Sequence, residues 1–307
     1  ERQVEINGPD ASKLAQILCP RNLSKCQEGQ GKYVALCNHD GVIINDPILL
    51  KLSENRFWLS IADNNIVLFA RAVAAERELN VTVFEPDVSP LAVQGPKAEE
   101  VIASIFGDWV RDLKYFWFKE TQINGIPLQV ARSGWSKQGG FELYLMDSSK
   151  AVTLWNIVKE AGKDWDIGPG NPNMSERIES GLLSYGSDTD DKTNPFEIRM
   201  GKYINLEVPD DTIGIKALRK IAAEGPKRHQ LGVVLDGNTP SEIAAEWQDI
   251  QQNGKNIGSM TSGVWSRRLE KNIGLALINI DSKVGENAIV KTKNGNVKCD
   301  LVELPFL

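Results

Sequence analysis

The stretch Arg132-Ser133-Gly134-Trp135-Ser136-Lys137-Gln138-Gly139-Gly140-Phe141-Glu142-Leu143-Tyr144 constrains the fold more than any other part of the chain. An apolar strand, Ile126 to Ala131, runs into it, and a second, Phe141 to Leu145, runs out, so the backbone must turn back between them. Three glycines, a serine pair and one indole occupy the turn. Glycine has no Cβ, so backbone and side chains there can approach a ligand closely. On the outgoing strand the period of two places Phe141, Leu143 and Leu145 on one face and Glu142 and Tyr144 on the other. An acid and a phenol beside an indole predict a binding wall. A glycine-rich hairpin with a polar outer face is the alternative that the spacing leaves open.

A second constraint is repetition. Val4-Glu5-Ile6 alternates as a strand and passes through Asn7-Gly8-Pro9-Asp10 into an amphipathic helix, Ala11 to Leu18. Leu91-Ala92-Val93-Gln94-Gly95-Pro96-Lys97-Ala98 repeats the device and leads into a helix through Ile105. Two strand–Gly-Pro–helix units predict an internally duplicated α+β architecture, against a chance likeness of two short motifs. Gly31 to Leu36 and Gly41 to Leu52 read as a hairpin around Asn38-His39-Asp40-Gly41. Asp46 interrupts its second strand just before Pro47, where a carboxylate either caps a turn or lines a cavity.

Phe57 to Ile61 reads as a strand, with Asp63 or Asn64 capping a helix to about Leu79. Asp108 to Glu120 is rich in aromatics, and strand alternation there places Phe116 and Phe118 on one face, Tyr115 and Trp117 on the other. Ser149 to Ala161 reads as a helix with Val152, Trp155 and Val158 inward, and Ser175 to Gly181 as a short helix whose Arg177 turns toward an anion. Tyr185 to Asn194 reads as a solvated turn, because Asp188, Asp190 and Asp191 lack the spacing of a calcium loop. From Gln230 onward, short strands with turn signals (231–235, 258–261, 273–278, 288–292, 297–304) predict a small antiparallel barrel or sandwich. The expected division is 1–215, a linker at 216–229, and 230–307.

With 307 residues and 41% hydrophobic content, the chain is long enough for two or three domains. A net charge of −6 with interspersed signs excludes a nucleic-acid footprint, and no apolar run reaches membrane-span length. Cys19, Cys26, Cys37 and Cys299 lack CxxC spacing, so neither a zinc site nor a disulfide framework is expected and a cytoplasmic setting is. Tryptophan stands at eight against five tyrosines; most of these indoles read as packing, and a few as walls for something cationic or flat.

The ordered motifs resemble the aminomethyltransferase family, the glycine-cleavage T-protein and its relatives, along essentially the whole chain. Asn7 to Ala11 matches its Gly-Pro-Asp-Ala turn, and Asp40 to Asp46 its Gly-Gly-Ile-x-Asp-Asp strand. Arg132 to Glu142 matches the hallmark Arg-Thr-Gly-Tyr-Thr-Gly-Glu-Asp-Gly-Phe-Glu, and Arg177 to Gly181 matches Arg-Leu-Glu-Ala-Gly. Ile257 to Gly263, Lys271 to Gly274 and Leu304-Pro305-Phe306 also fit. The family's first few dozen residues, which contribute to its active site, have no counterpart before Glu1. The resemblance implies tetrahydrofolate-dependent one-carbon transfer on a three-domain cloverleaf: two interleaved α+β folate-binding subdomains and a C-terminal antiparallel β barrel. Carried over by motif, Asp46, Glu142 and Arg177 contact folate, Asp46 beside the reacting nitrogen and Arg177 at the anionic tail, with Tyr144 joining the folate wall.

Departures from the hallmark bear on the substrate. Trp135 replaces its tyrosine, Ser136-Lys137-Gln138-Gly139 replaces Thr-Gly-Glu-Asp, and Ile61 stands where a folate-contacting asparagine is expected. These point to the branch in which tetrahydrofolate accepts a methyl group from a sulfonium, dimethylsulfoniopropionate. That branch implies Trp135, Trp109 and Phe116 around the sulfonium, with Tyr33, Tyr144 and Ser60 as polar contacts and Lys32 or Arg71 on the substrate carboxylate. No metal or protein partner is required, and the chain is expected to be a monomer or homodimer. Two alternatives stay open: an aminomethyltransferase served by a lipoyl protein, and a folate-binding module without turnover. The cysteine motif of the latter has no counterpart beside Lys137 to Gly140.

Overall fold

The computed structural model describes residues 1–61, 66–237 and 246–307. The proposed helix caps Asp63 and Asn64 lie outside them. The chain forms two compact units, one built from Glu1–Leu36, Ile44–Asn171 and Glu207–Ile213, the other from Cys37–Ile43, Pro172–Leu206 and Gly214–Leu307.

The first unit holds the duplicated α+β pattern. Its elements begin with β1 (Arg2–Asn7), α1 (Ala11–Leu18) and β2 (Gln30–Tyr33). The chain then passes through Cys37–Ile43 of the second unit, with the short strands β3 (Leu36–Cys37) and β4 (Ile43–Asn45) at its ends, before β5 (Ile48–Ser53), β6 (Arg56–Ile61), α2 (Ile66–Glu76) and β7 (Thr82–Phe84). The second half has β8 (Ser89–Gln94), α3 (Ala98–Phe106), β9 (Phe118–Ile123), β10 (Ile126–Ala131), β11 (Gly140–Leu145) and α4 (Ala151–Ala161). The turns before α1 and α3 are built alike. Gly8 and Gly95 adopt φ of 143° and 117°, and each carbonyl accepts the N–H three residues on at 3.0 Å, from Ala11 and Ala98.

The strands make two antiparallel sheets, ordered β2-β5-β6-β1-β7 and β8-β11-β10-β9. Each sheet buries one face under its own helices. Phe57, Leu59 and Ile61 pack with Leu14, Leu18 and Ala70; Phe141, Leu143 and Leu145 pack with Val101, Ile102 and Leu154. The remaining faces meet each other through Leu50, Trp58, Phe118, Ala131 and Tyr144. One edge joins them: Gln30 pairs with Trp117, Gly31 N donates to Phe116 O at 2.6 Å, and Phe118 N donates to Gly29 O at 2.8 Å. Outward-facing side chains of both halves therefore line a shared, enclosed interface.

In the second unit α5 (Met174–Glu179) and α6 (Ile215–Glu224) accompany six strands: β12 (Arg228–Leu235), β13 (Gln248–Gln252), β14 (Lys255–Ser266), β15 (Lys271–Asn279), β16 (Asn287–Thr292) and β17 (Gly295–Val302). They close into an antiparallel barrel, β12-β15-β14-β13-β16-β17, filled by Leu231, Val233, Ile250, Met260, Val290 and Leu301. Among the described residues, no helix is long and apolar enough to cross a membrane.

Several local expectations change. The hairpin around Asn38 splits: β3 pairs with β4 across the turn while β2 pairs with β5, because Pro47 cannot donate to a continuous ladder. The aromatic run is not a strand. Residues 108–112 form a 3₁₀ turn and Phe116 has φ 61°, so the expected alternation of Tyr115, Phe116 and Trp117 does not occur. In α4 the inward residues are Leu154 and Val158, spaced by one turn, while Val152 and Trp155 are 73% and 40% exposed. The segment 216–229 is mostly α6 rather than an extended connection. The strand β13 was hidden by its glutamines, and Asp188 is buried rather than solvated.

Candidate active site

Strand register assembles the polar residues facing the inter-sheet interface. Tyr33 lies opposite Ile48, Ile48 opposite Ser60, and Ser60 opposite Gln3, so one row crosses four strands on a single face. On the other sheet Glu142 lies opposite Ala131 and Ala92, and Tyr144 opposite Gln129. The rows meet at Tyr144, whose ring stands 6.0 Å from that of Trp58 at 54°. Of the site residues expected from the sequence, the structure brings Glu142, Tyr144, Ser60 and Tyr33 onto this interface.

Glu142 is the acid of the interface. Ser133 Oγ donates to its Oε2, and the Tyr144 hydroxyl donates to the same oxygen at 3.2 Å. Its Oε1 has no donor among the described residues. Burial pushes the Glu142 carboxyl up to about 7, the Glu1 carboxylate adding to the rise and the two hydroxyl donors opposing it. Burial, with Glu142 and Glu1 nearby, drives the Tyr144 phenol well above its usual range. Ser60 Oγ donates to Glu1 at 2.7 Å and accepts from Gln3 Nε2 at 2.9 Å. The Gln3 Oε1 atom is a buried acceptor with no donor among the described residues. Below this row Glu5 is held by Arg56 at 2.8 and 3.0 Å and by Trp58 Nε1 at 2.7 Å, which fixes the Trp58 ring.

At the other end of the row the Tyr33 hydroxyl donates to Asp46 Oδ2 at 2.7 Å. Arg21 anchors the Tyr33 carbonyl at 2.6 Å, and Val34 N reaches Pro47 O at 3.0 Å. The half-buried Asp46 thus sits at the strand break with the Tyr33 phenol as a partner.

The glycine loop is shaped from inside. Gln94, which precedes the second Gly-Pro turn, donates from Nε2 to Ser133 O at 3.1 Å and Phe141 O at 3.2 Å. Its Oε1 accepts from Ser136 Oγ at 2.8 Å. A Cβ on Gly134 would overlap the Gln94 amide, and one on Gly140 would come within 2.6 Å of it. Arg132 closes the loop base through Glu99 Oε2 at 2.6 Å and the Arg111 and Leu113 carbonyls. Between these ties the Trp135 indole remains 37% exposed. Ser133, Gln94 and Gln3 were missed as site residues by the sequence reading; their signal, a glutamine beside a repeated turn or a serine inside a glycine run, becomes specific only once the loop is folded.

Other expected residues fall elsewhere. Trp109 packs on the helix side of the second sheet, with Lys119 Nζ 4.8 Å from its ring. Phe116 stacks on Tyr115 at 4.4 Å at the joined sheet edge. Lys32 lies opposite Leu49 on the face away from Tyr33, and Arg71 donates to Val83 O at 2.7 Å on the helix side. Arg177 belongs to the second unit. It does turn inward toward an anion, but that anion is Asp188, 2.6 Å away, and neither side chain is exposed. Asp188 also accepts from Thr261 at 2.7 Å and Ser262 at 2.6 Å. Among the described residues, no group of His, Cys, Asp and Glu is placed to hold a metal ion.

Residues 1–208 match the GCVT N-terminal domain, and residues 228–307 match the glycine cleavage T-protein C-terminal barrel domain. The chain is 41% identical over 279 residues to the dimethylsulfoniopropionate demethylase DmdA of Ruegeria pomeroyi, covering 91% of this chain and 76% of that protein. It is 33% identical over 313 residues to an aminomethyltransferase of Caldanaerobacter subterraneus, covering 99% of this chain and 82% of that one. The crystal structure of glycine cleavage system aminomethyltransferase T from Bartonella henselae has the same fold, with a TM-score of 0.83 at 22% identity, over 100% of this chain and 84% of that one.

Proposed function

Because the chain belongs to the glycine cleavage T-protein family, we propose that it is a tetrahydrofolate-dependent methyltransferase that demethylates dimethylsulfoniopropionate to 3-methylthiopropionate. The observation that carries the substrate is the 41% identity to a demethylase over nine-tenths of the chain, against 33% to an aminomethyltransferase over a similar span. The interface chemistry supports the folate. Glu142 Oε1 and Gln3 Oε1 are acceptors without protein donors among the described residues, which suits a planar heterocycle rich in N–H groups. Bound there, tetrahydrofolate supplies the secondary amine N5, which takes the methyl group while the C–S bonding pair returns to sulfur and the amine proton is released.

The protein's part is positioning and charge. Glu142, braced by Ser133 and Tyr144, holds the ring edge as a carboxylate. Asp46, oriented by Tyr33, places negative charge where positive charge develops on nitrogen. The Trp135 indole offers a face to the sulfonium, an attraction of about 0.5–2 kcal/mol that leaves a neutral thioether free to depart. Trp109, on the helix side of the second sheet, stands apart from this border. Arg177 is assigned a structural ion pair rather than the folate tail, because its partner Asp188 already supplies the anion. Four buried cysteines that lack CxxC spacing accord with a cytoplasmic enzyme.

Incubation with tetrahydrofolate and dimethylsulfoniopropionate, read by mass spectrometry, tests this function. Appearance of 5-methyl-tetrahydrofolate and 3-methylthiopropionate is the expected result. Ammonia and methylene-tetrahydrofolate from an aminomethyl-lipoyl protein, with no reaction on the sulfonium, would replace it with the aminomethyltransferase reading.

A further inference from the structure

We propose that Gln94 is a positioning residue for the Glu142 carboxylate, acting through Ser133 from inside the glycine loop. Gln94 lies on β8, directly opposite Gly140, where the loop rejoins the sheet. Its amide meets three loop groups at once: the Ser133 and Phe141 carbonyls, which flank the loop at either end, and the Ser136 hydroxyl in its middle. Gly134 and Gly140 leave the space that the amide fills, and both hold φ above 150°, a backbone unfavourable to other residues. Gly95 N also donates to Gly139 O at 3.1 Å, so the turn after Gln94 fixes the loop a second time.

Two of these ties bear on the acid. Ser133 donates from its hydroxyl to Glu142 Oε2, and its carbonyl is held by Gln94; Phe141, the other carbonyl held, directly precedes Glu142. Gln94 thus fixes the serine that leaves one Glu142 oxygen occupied and the other available. The ties flank Trp135 as well, since Gly134 leaves the room that the amide fills and Ser136 bonds it. The duplicated motif places Asn7 at the corresponding site of the first half, where its amide reaches Glu5 Oε1 at 3.1 Å. A side-chain amide preceding the Gly-Pro turn bonds part of an acid-bearing arrangement in both halves.

The role for the reaction rests on the folate reading, but the test does not need folate. Glu142 faces Ser133 from the loop, Tyr144 on its own strand, and the Glu1 carboxylate. Its titration in the ligand-free protein can be followed by carbon NMR with carboxyl-labelled glutamate, the Glu142 signal being identified by its loss in Glu142→Gln. Gln94→Met, neutral and similar in size, is expected to raise the Glu142 midpoint by about one pH unit by releasing the Ser133 donor, a hydrogen bond to a charged group. Ser133→Ala should give a similar rise, and the double variant no more than either alone. Ser136→Ala, which leaves both Nε2 bonds in place, should give none. If Gln94→Met does not fold, Gln94→Asn retracts the amide by one methylene and should shift the midpoint in the same direction. An unmoved midpoint in a folded Gln94 variant, or additive shifts in the double variant, would overturn the proposal. Failure of the wild-type protein to bind tetrahydrofolate would count against the function and leave this titration result standing.

Discussion

Replacing Glu142 with glutamine should stabilise the ligand-free protein at alkaline pH while removing its affinity for folate. The carboxyl rises from an ordinary 4.5 to about 7 on folding, with burial as the main cause. A raised folded value means that the unfolded chain gives up this proton first. Stability is therefore fully present below about pH 4.5 and declines as pH climbs through about 7. The full displacement corresponds to about 3.4 kcal/mol, of which about 2.5 kcal/mol lies between pH 5 and pH 8. Glutamine matches the size of the side chain and still accepts from Ser133, so the difference between variant and wild type isolates the cost of burying the charge. Urea unfolding of both proteins at the two pH values measures it. The variant should gain about 2–3 kcal/mol over wild type on going from pH 5 to pH 8, while stabilisation by added tetrahydrofolate disappears. An equal difference at both pH values would refute the placement of Glu142 as a buried acid destabilised by its own ionisation.

Other outcomes follow from the same geometry. Trp135→Ala should lower kcat/KM for methyl transfer at least tenfold with the fold intact, as shown by circular dichroism; a smaller change would remove the indole from the sulfonium site. Tyr33→Phe takes away the hydroxyl on Asp46 and should reduce kcat by about tenfold, the equivalent of one hydrogen bond to a charged group, in steady-state assays. Arg177→Met leaves Asp188 buried without its cation and should cost about 3–5 kcal/mol in denaturant unfolding, whereas a folate-tail role predicts weaker folate binding at undiminished stability. Trp58→Phe removes an indole donor from the buried Glu5 and should destabilise by about 1–3 kcal/mol in the same assay.

Much of the fold was legible because its signals are local. The twofold Gly-Pro turn is a backbone requirement, and it reappears as two positive-φ glycines capped in the same way. The barrel strands alternate, and Phe141, Leu143 and Leu145 went to the helix side as their period of two demands. Where side-chain direction depends on tertiary context, periodicity failed. Phe116 takes a left-handed backbone because its N–H and C=O bond Arg132 and Gly31, partners far away in the chain. The Trp155 ring projects outward because Leu154 and Val158 already cover the sheet. Arg177 and Asp188 are only eleven residues apart, yet nothing in their spacing distinguishes an internal ion pair from a ligand site. At the candidate site Glu142 and Tyr144 were readable from one strand, and Asp46 from its place before a proline. Ser133 and Gln94 were not, because their role exists only when one loop closes around a side chain of another strand.

The most direct measurement is a single turnover with dimethylsulfoniopropionate carrying trideuteromethyl groups on sulfur, followed by mass spectrometry of the folate pool. Direct transfer to N5 predicts 5-methyl-tetrahydrofolate with all three deuterons retained, in equal amount to the thioether. Thioether without labelled folate, or labelled substrate left unchanged beside bound tetrahydrofolate, would contradict the account.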